Sequence, residues 1–160
     1  MTISDAAPLR IAQPLPVYAI DINTIEQRDL LSRARLTGWQ YPIVDNNSVQ
    51  ATAEVSQTNE ALTYSALHHG DHYTENLASA IMVAERVAGQ STTDFELRLL
   101  RAPAVYLTAV WLHANDADLL IPVAPAPADL EISHEYTETE LADALLQLAL
   151  QRRSISDSEA

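Results

Sequence analysis

Cysteine and lysine are both missing from this 160-residue chain, and glycine occurs only three times. Without cysteine there can be no disulfide, no thiolate zinc site and no cysteine nucleophile, so a reducing cytoplasm is the expected location. Without lysine, Schiff-base chemistry and the phosphate-gripping lysine of P-loop enzymes are excluded. So few glycines leave no Gly-rich phosphate loop, which removes nucleotide enzymes of the Rossmann and P-loop kinds. Long apolar runs are absent too. Nothing approaches the ~20 residues needed to cross a bilayer. The first thirteen residues carry Asp5 and no long apolar stretch, so no secretory signal is expected.

Basic charge is scarce. Nine arginines stand against 22 acids, for a net charge of −13. A field of that sign repels phosphate backbones and anionic lipid, so neither nucleic acid nor a membrane surface is an expected partner.

What is present suits a globular protein. Apolar residues make up 48 % of the chain, and its length fits one domain of roughly 100–200 residues. Residues 1–14 read as a flexible N-terminal arm, 15–152 as a single domain and 153–160 as a disordered tail, because both ends are polar and lack periodicity. Thr24 with Gln27 forms a capping box, and Gly38 stands where a helix ends, predicting a helix over about 25–36. Asp71 and Gly89 bracket a second helix with apolar positions at Tyr73, Leu77, Ala80, Ile81, Ala84 and Ala88. Thr137 with Glu140 opens a third, striped by Leu141, Leu145 and Leu148.

The remainder alternates with the period of strands. Val49, Ala51, Ala53 and Val55 oppose polar neighbours, and Leu62, Tyr64 and Ala66 continue after a turn at 57–60, so 48–68 reads as a hairpin. Strands are also expected at 15–22, 39–44, 95–99, 104–113 and 117–123, the last two joined across Asn115-Asp116. Pro42 and Pro122 point to edges or irregular pairing. The reading is an α+β fold: a mostly antiparallel sheet of six to seven strands with two or three helices packed on it. Its order also suggests a β-α-β-β duplication, from strand 15–22 to 48–57 and again from 60–68 to 104–113.

Three places are candidates for function. The stretch "SALHHGDHYT" holds His68, His69 and His72, whose imidazoles are weak candidates for a metal-dependent enzyme. Gly70 divides them between a strand end and a helix start, and the H-E-x-x-H signature is not met. A serine hydrolase lacks its G-x-S-x-G elbow. No cofactor is implied. The third place is a surface: in 104–113, Val105, Leu107, Ala109 and Trp111 face one way and Tyr106, Val110 and Leu112 the other, as do Leu119 and Ile121 against Leu120. Both faces must therefore be covered. If helices cover only one, the other meets a partner, with Trp39, Tyr41, Tyr106, Trp111 and Leu120 as anchors and Arg98 and Arg101 as a charged rim. The expected function is thus non-catalytic protein association or self-association through the apolar face of the 93–124 sheet. The alternative is a small-molecule module that holds an apolar or cationic ligand in a cleft between sheet and helices.

Overall fold

The computed structural model describes residues 10–11, 13–45, 48–58, 61–69, 72–127 and 130–158. The strands are β1 (Arg10–Ile11), β2 (Leu15–Ala19), β3 (Arg35–Asp45), β4 (Ser48–Thr58), β5 (Ala61–His69), β6 (Glu96–Ala102), β7 (Leu107–His113) and β8 (Leu119–Pro122). The helices are α1 (Ile22–Glu26), α2 (His72–Gly89) and α3 (Glu138–Ser158). The sheet runs β5-β4-β3-β2-β6-β7-β8, with β1 paired beside it on β3. Every pairing is antiparallel except β2 with β6. The α+β class read from the sequence is the one observed.

Alternation along the strands sorts the core into two clusters, one on each face. Leu107, Ala109, Trp111 and Leu120 join Leu141, Ala142, Leu145 and Ala149 of α3 and Ile25 of α1. On the opposite face Val17, Leu99, Val110, Leu112 and Ile121 join Leu77, Ala80, Ala84 and Val87 of α2. Each fully buried leucine or isoleucine contributes ~1.5–3 kcal/mol, so neither face could be left in water. The helices split between the two faces, so the 93–124 segment is covered on both sides from within and the condition for an open face, helices on one side alone, is not met.

α2 begins and ends where its apolar spacing predicts. α3 starts on its expected cap, with the Glu140 amide donating to Thr137 Oγ1 at 3.2 Å. It runs beyond 152, however, and the segment expected to be a disordered tail carries helix as far as Ser158. Arg153 fastens this end by pairing with Glu26 and donating to Asn23 Oδ1 at 3.3 Å, while the Arg152 guanidinium lies 4.1 Å from the centre of the Tyr106 ring.

The first predicted helix is wrong in place and length. α1 spans five residues and is capped by Asp21, whose carboxylate accepts from the Thr24 amide at 2.8 Å and its hydroxyl at 2.9 Å. Those bonds hold the Asp21 carboxyl below its ordinary range. Arg28 then turns the chain with φ 58°. The reason lies in Ile25 and Leu30, both 0 % exposed. Five residues apart on one helix, they would point about 140° away from each other; a turn between them lets both enter the core. The chain is therefore already extended at Arg35, and Gly38 is a strand residue, not a helix end. Pro103 likewise shortens the 104–113 strand: Pro103–Val105 form one 3-10 turn, and Tyr106 follows at φ 55°.

The two β-α-β-β stretches are not equivalent. β2 pairs with β3 in the first, whereas β5 pairs with β4 and lies four places from β6 in the second. Their helices also pack on opposite faces. Pro42 pairs with Thr52 of β4 and, among the described residues, with neither β1 nor β2 on its other side.

Candidate functional site

Trp111 is 2 % exposed and Leu120 0 %, so both belong to the interior. As anchors for a partner they are corrected by the covering of their face by α3. Arg98 is not a rim residue either. Its guanidinium lies against both the Tyr18 and Trp111 rings, 4.8 and 4.9 Å from their centres, and pairs with Glu96 at 2.9 Å. Tyr106 is exposed, under Arg152 at the start of β7. Trp111 and Leu120 do come together, as cross-strand partners inside the core; Trp39 and Tyr41 come together outside it, on β3. His72 is exposed and lies 4.0 Å from Glu75; the side chains of His68 and His69 lie outside the described residues. Among the described residues no group of three potential metal ligands is assembled.

Trp39 and Tyr41 mark an outer face that α3 does not reach. The register places Trp39 with Val55, Tyr41 with Ala53 and Ile43 with Ala51, and carries the same side of the sheet onto Tyr64 and Leu62 of β5. No side chain described on this side of β3, β4 and β5 is charged. The Trp39 indole donates to Gln57 Oε1 at 3.0 Å, which satisfies its polar edge and leaves the ring for contact. Toward β5 exposure rises: Leu62 is 62 % and Tyr64 65 % exposed. β5 is also a sheet edge, nine residues long, without an acid, an arginine or a proline. Native edges are commonly protected by such residues. The opposite edge, β8, is closed over by a bridge from Leu120 to Tyr136.

The reverse side of the same strands carries a polar network beneath α2. Arg101 of β6 pairs with Glu54 of β4 through both carboxylate oxygens, one contact at 3.2 Å, and donates to Tyr73 Oη at 3.4 Å. Gln40, 0 % exposed, donates to Tyr73 Oη at 2.7 Å. Burial works against the Arg101 charge, but its bonds to Glu54 and Tyr73 outweigh that and raise its pKa. Gln40 Oε1 and Thr52 Oγ1 are buried with no partner among the described residues. The arrangement holds the first turn of α2 against three strands.

One constellation escaped the sequence reading. Asp118 Oδ1 accepts from the Trp111 indole at 2.9 Å and lies 2.7 Å from His113 Nδ1. A hairpin brings His113 and Asp118, five residues apart, across its mouth, and the Asn115-Asp116 turn was the available signal. The pair closes the β7–β8 hairpin and fixes the Trp111 ring.

Searches of family models, curated proteins and solved structures find no match to this chain. No helix among the described residues is long and apolar enough to cross a membrane.

Proposed function

We propose that this is a non-catalytic protein that works by association, in the cytoplasm, and that the partner it meets along β5 is a second copy of itself. The observation that carries this is the β5 edge, which pairs with no strand on its outer side among the described residues, holds no acid or arginine, and exposes Leu62 and Tyr64. Such an edge is a template for another strand. Two copies related by a twofold axis would add β5 to β5 antiparallel and extend one sheet across both. Charge favours this occupant. The chain carries −13 in all, yet none of it among the described side chains of this face, so two copies can meet here without apposing like charges. Trp39 and Tyr41 supply the aromatic ground behind the edge, the enrichment typical of interface cores.

Light scattering on the size-exclusion peak, taken over a concentration series, tests the reading. A dimer is expected, converted to monomer by Leu62→Lys or Tyr64→Lys with the melting temperature of the monomer unchanged. A wild-type monomer at every concentration would sink it, and so would a dimer indifferent to both lysines.

A further inference from the structure

The structure assigns a second place of contact, independent of β5: a cleft of about 750 Å³ between the sheet and the C-terminal half of α2, built to take an amphipathic organic cation. Its origin is a fault in the sheet. Among the described residues β1 pairs at Ile43 and Val44 of β3, and β2 pairs from Gln40. Pro14, Pro16 and Pro42 line the opening. None of these three has an N–H to donate to a ladder.

Over this gap α2 presents Ala78, Ile81, Met82 and Glu85. Their i, i+3, i+4, i+7 spacing is a second stripe beside the one that packs on the sheet through Leu77, Ala80, Ala84 and Val87. The sheet does not use it fully, for Met82 remains 69 % exposed. Phe95, Leu97 and Val49 extend the apolar part of the lining, which it shares with Gln13 and two acids. The volume falls within the roughly 300–1,000 Å³ of small-molecule sites.

Polarity at the mouth selects the class of ligand. The acids that line the cleft are Glu85 and Glu96, and no basic side chain stands among its described lining. Glu96 is engaged by Arg98. Glu85 is exposed and forms no ion pair among the described residues, so it is the carboxylate left for a cationic head while the apolar body lies along Ile81 and Met82. The chain's net −13 adds a field of the same preference.

Titration calorimetry with three probes of one chain length tests this: octyltrimethylammonium, octyl glucoside and octyl sulfate, each below its micellar range. Saturable one-site binding is expected, strongest for the cation and weakest for the anion. Glu85→Gln should narrow the cation-over-neutral preference by about 2–5-fold, the range of a solvent-exposed charge pair, and leave the neutral probe unaffected. Ile81→Trp should weaken all three by at least ~10-fold by filling the cleft. Met82→Trp, at the exposed mouth, makes the same test if the first variant folds poorly. Leu62→Lys should change nothing, which separates this cleft from the β5 edge. Non-saturable uptake, an anion bound as tightly as the cation, or a folded tryptophan variant that binds like the wild type would each overturn the assignment.

Discussion

At Gly38 the chain has no room for a β-carbon. An atom there would run into the Val55 carbonyl oxygen and the Ser56 backbone of the neighbouring strand. The adjoining register shift between Val17 and Tyr18 bends the ladder at this point. A close approach of backbone to backbone is one of the few reasons for glycine inside a strand. Gly38→Ala should therefore destabilise by ~2–3 kcal/mol, read as a lower urea midpoint at constant m-value; a change within ±0.5 kcal/mol, the usual range of a neutral surface substitution, would mean that β4 gives way freely. In sequence Gly38 looks like a helix stop, because the arginines before it and the Thr24–Gln27 spacing mimic a helix. What sequence spacing cannot show is that Ile25 and Leu30 must both be buried, and that demand breaks the helix. Glycine's two uses, as a cap and as a gap, are locally indistinguishable.

Elements with one clear period were legible, and elements decided by tertiary contact were not. α2 follows from its stripe, and the two hairpins follow from alternation and turns. The faces assigned to Leu107, Ala109 and Trp111 against Val110 and Leu112 are those observed. Nothing local reveals which helix covers which face, and so Trp111 and Leu120 looked like anchors when they are core. The docking of α2 was equally hidden, since Gln40, Glu54, Tyr73 and Arg101 come from four separate elements. Arg101 and Glu54 are 25 % and 17 % exposed. Removing one partner from such a site strands the other, so Arg101→Met should cost about 2–4 kcal/mol, somewhat below the figure for full burial. Adding Glu54→Leu should restore at least half of that loss, because the remaining apolar pair leaves no unmatched charge. If the double variant were less stable than Arg101→Met alone, the network would owe its worth to Glu54 contacts other than Arg101.

At the scale of the molecule net charge works against self-association, while the face proposed for it carries no charge among its described side chains. Two protomers, each at −13, repel one another on approach, and the uncharged β5 face supplies none of the ion pairs that would compensate. Salt should therefore help. Raising ionic strength from about 0.1 M to about 1 M shortens the Debye length from ~10 Å to ~3 Å and screens the repulsion between the acidic bodies, while apolar burial along Leu62 and Tyr64 is left intact. The dimer dissociation constant, followed by sedimentation velocity, should fall by roughly 3–10-fold across that range. An interface held by ion pairs would move the other way, its constant rising with salt as the pairs are screened. The sign of that slope thus distinguishes pairing through an uncharged edge from pairing held by ion pairs, without requiring a single substitution to be tolerated.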